Sequence, residues 1–252
     1  MSGHSKWHNI QGKKSVTDAK RGKIFTKVAR EIIIAARDGG GNPETNYTLR
    51  AALDKASLAG MPKDNIKRAI QRGTGEIEGA TYEEALYEGY GPAGVAVIVE
   101  ASTDSRNRTV SEFKKIFAKF GGSLGEQGCV AWNFERQGEL KIEKSGKSLD
   151  DALMMVADAG AEDVEEFDDH FLVVTGPDKV HLVAEALRKQ GIKVIESNLV
   201  YNPKSTVKLS GNDAARMLKL QNELDDHDDV QSVYANFEIE EKEMMRIAAE
   251  LE

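Results

Sequence analysis

The chain has 252 residues, of which 40% are hydrophobic and 30% charged, and its formal net charge is −8. This composition predicts a folded protein of two or three domains and excludes the disordered and fibrous classes. No apolar run approaches the ~18 residues of a membrane span, and the N-terminus lacks the apolar stretch of a secretory signal. The one cysteine, Cys129, excludes an intramolecular disulfide and a cysteine-rich metal site. We therefore expect a cytoplasmic protein with no membrane partner.

Charge is distributed unevenly along the chain. Residues 1–75 hold 15 Lys/Arg and 6 Asp/Glu, a net charge of +9, whereas residues 76–252 carry −17. A basic part favours a polyanionic partner, and an acidic remainder limits indiscriminate binding to one. Lysine-rich helices that are merely well solvated are the alternative. The asymmetry favours a polyanionic partner for the first part of the chain.

The first part predicts a basic N-terminal extension over 1–20 and a helical domain over 21–75. Apolar residues recur at three- and four-residue spacing from Ile24 to Ala35, and lysines occupy the opposite face of this helix. Two further amphipathic helices are predicted in NYTLRAALDKASLAG and MPKDNIKRAIQRG, each ending near a glycine. Three helices with short connections predict a small bundle.

The second part predicts two α/β units. Residues 138–201 alternate as strand, helix, strand, strand, helix, strand, which is a complete βαββαβ unit. A predicted strand, helix and strand precede it in GVAVIVEAS, SRNRTVSEFKKIFAKFG and CVAWNFE, and another set follows it in STVKLS, NDAARMLKLQNELDD and VQSVYANFEI. Neither set buries both of its faces alone. We therefore predict an α+β multidomain fold: an N-terminal three-helix domain followed by two ferredoxin-like βαββαβ domains, one inserted into the other. The predicted limits are 80–136 plus 204–238 for the discontinuous domain, 137–203 for the inserted domain and 239–252 for a C-terminal helix.

Four motifs resemble catalytic, cofactor or metal sites but lack the required context. GYGPAG precedes a strand, whereas a dinucleotide site needs this pattern to open a helix. GGSLG follows a helix, whereas a nucleophile elbow follows a strand. The pair His4 and His8 offers too few ligands for a metal, and DDHDD (225–229) is typical of a solvated turn. We expect no catalytic residue, no cofactor and no metal.

The segment STDSRNRT (102–109) predicts a possible phosphate contact. It joins a strand to the start of a helix, where backbone amides and the side chains of Arg106 and Arg108 favour an anion. An ordinary helix cap with two solvated arginines is an equally good interpretation.

Five segments carry a family resemblance: GHSKWHNIQGKK, MPKDNIKRAIQRG, YEGYGPAGVAVIVEASTDSRNRT, GGSLGEQGCVAWNF and LDDHDDVQSVYANF. They span nearly the whole chain, and the chain resembles the YebC family, which includes the mitochondrial translational activator of cytochrome c oxidase. The resemblance implies a helical domain and two α/β domains, one inserted in the other. It also implies a probable DNA-binding transcriptional regulator, while the organellar members, and more recently the family, are tied to the ribosome and translation. The family has no established catalytic residues.

The leading prediction is a non-enzymatic regulator of gene expression that binds DNA or ribosomal RNA through its N-terminal part. Lysine and arginine would neutralise phosphates, and Trp7 would stack on an unpaired base or instead anchor the segment on the helical bundle. A ribosome-associated translational activator is the alternative, and a ligand-sensing protein that uses the inter-domain cleft is a further one. The oligomeric state stays open. The predicted nucleic-acid-binding residues are Lys6, Trp7, His8, Lys13, Lys14, Lys20, Arg21, Lys23, Lys27, Arg106 and Arg108.

Overall fold

The computed structural model describes residue 7, residues 18–144, residue 146 and residues 148–250, with residues 18–20 described by their backbone alone. The described chain begins with helices and continues into two four-stranded antiparallel sheets and a small two-stranded sheet, so the predicted α+β class is confirmed. Within these ranges, every helix is too short or too polar to cross a bilayer.

The N-terminal helices form a small bundle with its own core. Val28 and Ile32 of the first helix pack against Leu49 and Ala52 of the second. The third helix approaches the first so closely that a Cβ at Gly73 would lie 2.5 Å from the backbone oxygen of Ile33, and only glycine fits there. The three helices are α1 (Asp18–Gly39), α2 (Tyr47–Leu58) and α3 (Lys63–Gly73).

A first four-stranded sheet follows the bundle. Its strands are β1 (Glu83–Tyr90), β2 (Ala96–Thr103), β3 (Ser123–Leu124) and β9 (Val230–Ala235), in the spatial order β3–β1–β2–β9. Successive side chains of a strand point to opposite faces of its sheet. The side chains of β2 therefore pack into two hydrophobic cores, one on each face of the first sheet. The larger core lies under three helices: α4 (Arg106–Lys119), α7 (Gly211–Asp225) and α8 (Glu241–Glu250).

A second sheet confirms the predicted βαββαβ unit. In chain order its elements are β4 (Phe134–Glu143), α5 (Leu149–Asp158), β5 (Asp163–Glu166), β6 (His170–Thr175), α6 (Val180–Lys189) and β7 (Val194–Pro203). The strand order is β5–β6–β4–β7, and all pairs are antiparallel. This places the first strand of the unit between its third and fourth, as in a ferredoxin-like sheet.

The first sheet differs from its predicted composition in two ways. The predicted strand CVAWNFE is a 3₁₀ turn, Ala131–Asn133, followed by β4 of the other sheet. The backbone amides of Val130 and Ala131 donate to the Glu88 carboxylate, which removes them from any sheet ladder. The central strand β1 was missed because it does not alternate cleanly between apolar and polar residues.

The predicted strand near residue 206 belongs to a third, two-stranded sheet. It is β8 (Val207–Leu209), which pairs in parallel with β10 (Phe237–Ile239). Asn236 lies between β9 and β10. Its side chain accepts a hydrogen bond from the Ala96 amide at 2.7 Å and donates one to the Ser205 carbonyl at 3.0 Å, so it bonds to both neighbouring segments. The domain limits given above stay predictions.

Candidate nucleic-acid interface

The predicted lysine face of α1 contacts an acidic turn within the same chain. The Nζ atom of Lys23 donates to the Asp226 carbonyl at 3.0 Å and lies 4.0 Å from its carboxylate. Lys27 donates to the Asp225 carbonyl, and burial of its ammonium lowers the pKa of Lys27, an effect that nearby Asp225 opposes. These two predicted phosphate ligands therefore face the 225–229 turn in this structure.

Arg30, one turn further along α1, completes this contact. Its Nη1 atom donates to the Ser102 carbonyl at 2.8 Å, the Asp228 carbonyl at 2.9 Å and the Asp229 carboxylate at 2.6 Å. The guanidinium also lies 4.8 Å from the centroid of the Tyr82 ring, within cation–π range. One side chain thus joins the helical bundle to the first sheet at several points.

Asp229 is the centre of this cluster. Its side chain is 3% exposed and accepts from the Thr109 hydroxyl at 2.7 Å as well as from Arg30 and Arg108. Burial alone would raise the pKa of Asp229, but the hydrogen bonds from Thr109, Arg30 and Arg108 outweigh it and hold the pKa at about 2. The carboxylate is therefore ionised throughout the physiological range.

The predicted pair Arg106 and Arg108 is also engaged by carboxylates. Arg106 Nε lies 2.8 Å from the Glu83 carboxylate. Arg108 pairs with Asp104 at 2.7 Å and with Asp229 at 3.2 Å. Much of the charge that a phosphate would need is therefore neutralised. The alternative of a helix cap with two solvated arginines does not describe these contacts either, because both arginines are paired and Ser105 makes no side-chain capping hydrogen bond.

Trp7 lies in the core of the first sheet and not on the surface. It is fully buried, and its Nε1 atom donates to the Asn222 side chain of α7 at 3.0 Å. Stacking on an unpaired base requires an open ring face, so that prediction is wrong for this conformation. The anchor interpretation fits, although the anchor lies on the first sheet's core and not on the bundle. Lys6, His8, Lys13 and Lys14 and the side chain of Lys20 lie outside the described residues, whereas Arg21 is exposed on α1.

Four cations on α3 were missed by the sequence analysis. All are exposed, and none makes a side-chain hydrogen bond or salt bridge with another described residue. The sequence signal was two Lys/Arg pairs at i, i+4 spacing, which places the four on the solvent side of one helix. We call this set the α3 basic face: Lys63, Lys67, Arg68 and Arg72.

A short turn connects α2 to α3 and holds the start of α3 against the bundle core. Four residues, 59–62, join the helices, and Gly60 adopts a φ of +71° within them. Met61 is buried in the bundle core and Pro62 precedes the first turn of α3. This turn fixes where α3, the helix that carries the α3 basic face, begins.

Glu112, His227 and Asp229 place possible metal ligands within 4.8 Å of one another. Glu112 and the Nε2 atom of His227 are hydrogen-bonded at 2.8 Å, and the Asp229 amide donates to Nδ1 at 3.1 Å. Because each group already has a partner in this network, we propose no metal site here.

A cleft of about 1200 Å³ lies between the bundle and the two sheets. Contacts between α2 and α6 close one side: Arg50 pairs with Glu185 at 2.9 Å, and the rings of Tyr47 and His181 stack at 4.6 Å. Within the cleft, the Tyr234 hydroxyl donates to Glu100, whose pKa is raised by burial. This is the cleft that a ligand-sensing protein would use.

Two family models match this chain over most of its length. The model described as the N-terminal domain of the TACO1/YebC protein matches residues 5–76, and the model of the second and third TACO1/YebC domains matches residues 82–237. The chain belongs to the TACO1/YebC family. Both α1 and α3 lie within the N-terminal match of this family.

Curated relatives of this TACO1/YebC chain are similar over their full length. A protein of Pelotomaculum thermopropionicum is 54% identical over 243 residues, which cover 96% of this chain and 100% of the relative. A protein of Thermotoga maritima is 51% identical over 253 residues, which cover 100% of both. Each is named a probable transcriptional regulatory protein.

A solved structure supports the fold of this TACO1/YebC member. A conserved hypothetical protein of Aquifex aeolicus superposes with a TM-score of 0.82 and 45% sequence identity. The match covers 90% of this chain and 94% of the other. The names of the relatives support a regulator by family membership.

Proposed function

We propose that this chain is a non-enzymatic, cytoplasmic regulator of gene expression that binds the phosphate backbone of nucleic acid through the α3 basic face. The observation that carries the proposal is a contrast between two sets of cations. Lys23, Lys27 and Arg30 of α1 contact the acidic 225–229 turn. The four cations on α3 make no side-chain hydrogen bond or salt bridge with another described residue. Unpaired exposed cations clustered on one helix are available to release counterions from a polyanion.

Two features support DNA as the polyanion. The α3 helix has 11 residues and is therefore about 16 Å long, and an α-helix with its side chains, about 10–12 Å across, fits a major groove ~12 Å wide. Its solvent side also carries Asn65, a side-chain type that reads base edges. The relatives are named probable transcriptional regulatory proteins, which agrees with this choice.

The test is a binding titration with fluorescently labelled duplex DNA, single-stranded RNA and ribosomes, measured at 50 and 200 mM salt. The variant replaces Lys67 and Arg68 by Glu, and the matched control replaces Lys114 and Lys115 of α4, which are also exposed and adjacent. We expect the α3 variant to lose at least tenfold in affinity and the control to lose less than threefold. Equal losses would contradict the proposed surface.

The same titration separates the two polyanion classes. Preference for duplex DNA supports a transcriptional role, whereas preference for ribosomes or RNA would replace it by the translational role. The third prediction, a ligand-sensing protein, rests on the 1200 Å³ cleft. Thermal stabilisation by a metabolite, with no nucleic-acid binding at any salt concentration, would favour that function instead.

A further inference from the structure

Trp132 is an exposed tryptophan held in one orientation. Its side chain is 69% exposed, and Tyr90 beside it is 38% exposed. Trp132 Nε1 and the Tyr90 hydroxyl donate to the same acceptor, the Cys129 carbonyl, at 3.0 and 2.9 Å. Because both polar ends are occupied, the two side chains offer their ring surfaces to a partner and not their hydrogen-bond donors.

The loop before Trp132 is fixed by a buried carboxylate. Glu88 of β1 is 3% exposed and accepts from the amides of Gly128 at 2.6 Å and of Val130 and Ala131 at 2.8 Å. Charge-assisted hydrogen bonds to backbone amides are among the stronger ones in proteins. The ring of Trp132 is therefore preorganised, which reduces the entropy lost when a partner stacks on it.

A second segment adds a cation to the same corner. Asn133 is buried, accepts from the Ser205 hydroxyl at 2.8 Å, and its carbonyl accepts from the Lys204 amide at 2.8 Å. This places Lys204 beside the tryptophan, where its Nζ atom donates to the Trp132 carbonyl at 3.3 Å. An exposed ammonium bound to the backbone of the residue that carries an exposed indole suits a ligand that is both anionic and aromatic.

We propose that Trp132 and Tyr90 form a stacking platform for an unpaired nucleotide, with Lys204 contacting its phosphate. A nucleotide combines a planar base and an anion, and stacking on an aromatic side chain needs no free hydrogen-bond donor. The proposal rests on the proposed function, and adds to it a contact with single-stranded nucleic acid that the α3 basic face does not provide. In this proposal Trp132, and not Trp7, is the tryptophan that stacks on an unpaired base.

Tryptophan fluorescence tests the platform directly, because the chain has two tryptophans and Trp7 is buried. The probe is a labelled single-stranded oligothymidine, titrated into the full chain while polarisation and tryptophan emission are recorded together. Three proteins are compared: the wild type, W132F, which keeps a ring, and W132L, which keeps apolar volume without a ring. The substituted side chain is exposed, so both variants retain the buried core.

We expect binding to quench the wild-type emission and to leave the emission of W132F unchanged, since Trp7 is shielded. W132L should weaken single-stranded binding about tenfold and W132F less than threefold, while duplex binding changes little. Binding without quenching, or equal affinity of W132L and wild type, would overturn the platform alone. If neither single-stranded nor duplex nucleic acid binds the wild type, the proposed function fails and the platform fails with it.

Discussion

Arg30 of α1 and Asp229, the residue before β9, form an ion pair with an Nη1–Oδ1 distance of 2.6 Å, and their side chains are only 12% and 3% exposed. The two residues are far apart in sequence and join the helical bundle to the first sheet. Together with Lys23 and Lys27, this pair means that part of the positive charge of the N-terminal region is used inside the molecule.

Replacing Arg30 by Ala should destabilise the protein strongly. The change leaves the Asp229 carboxylate buried with fewer partners. Removing one member of a buried ion pair lowers the free energy of unfolding by about 3 kcal/mol. The control is Lys23→Ala, whose side chain is 46% exposed and whose loss should cost less than about 1 kcal/mol. Denaturant unfolding measures both, and similar costs would argue against a structural role for Arg30.

The low pKa of Asp229 predicts a loss of stability in acid. The pKa is about 2 in the folded chain, against 3.8 for an ordinary aspartate. As the pH falls below 4, Asp229 is protonated in the unfolded chain before it is protonated in the folded chain. The stabilisation that Asp229 gives the folded chain is therefore complete above pH 4 and is lost as the pH falls towards 2. The difference between the two pKa values corresponds to a contribution of about 2 kcal/mol to the free energy of unfolding at neutral pH. Acid unfolding followed by circular dichroism measures it.

Asp229→Asn should lack this dependence between pH 4 and 2. It should be less stable than the wild type at pH 7, and the difference should shrink as the pH falls. Asp178→Asn, which changes an exposed carboxylate, is the control and should keep the wild-type profile. An unchanged acid profile in Asp229→Asn would assign the acid transition to other carboxylates.

Glu88→Gln should loosen the loop that carries Trp132. The glutamine side chain places an NH₂ donor where the carboxylate of Glu88 accepts hydrogen bonds from three backbone amides. We therefore expect the free energy of unfolding to fall by about 2 kcal/mol. Hydrogen exchange of the Val130 and Ala131 amides should accelerate. Glu126→Gln in the same loop is exposed and serves as the control. Equal exchange rates in both variants would show that Glu88 does not hold the loop.

Trp7→Ala should destabilise the first sheet. Removing a fully buried tryptophan costs about 3–5 kcal/mol. Thermal unfolding should show a lower midpoint, whereas Trp132→Ala on the surface should leave the midpoint nearly unchanged. A Trp7→Ala variant as stable as the wild type would mean that the buried position of Trp7 does not matter to the fold.

The sequence predicted those parts of the fold in which local pattern and packing agree. The inserted βαββαβ unit was predicted because its strands and helices alternate clearly between residues 138 and 201. Strand β1 was missed because EEALYEGY lacks a clear period and owes its central position to pairing with β2 and β3. Local pattern carries no information about such long-range pairing.

The candidate site was harder to predict for an electrostatic reason. Lys23 and Lys27 were predicted as phosphate ligands because a sequence does not show that the 225–229 turn folds against them. Lys67 and Arg68 were overlooked because cations on the solvent side of an amphipathic helix are common. Which cations stay unpaired depends on tertiary contacts between residues about 200 positions apart.

The central claim is that the α3 basic face supplies the phosphate contacts, and the salt dependence of duplex DNA binding tests it most directly. Four contacts predict a slope of log K against log salt of about −3.6 for the wild type. Replacing Lys67 and Arg68 by Ala should reduce the magnitude of this slope by about 1.8, while replacing Lys114 and Lys115 by Ala should leave it unchanged. A slope that is the same in the wild type and the α3 variant would contradict the claim.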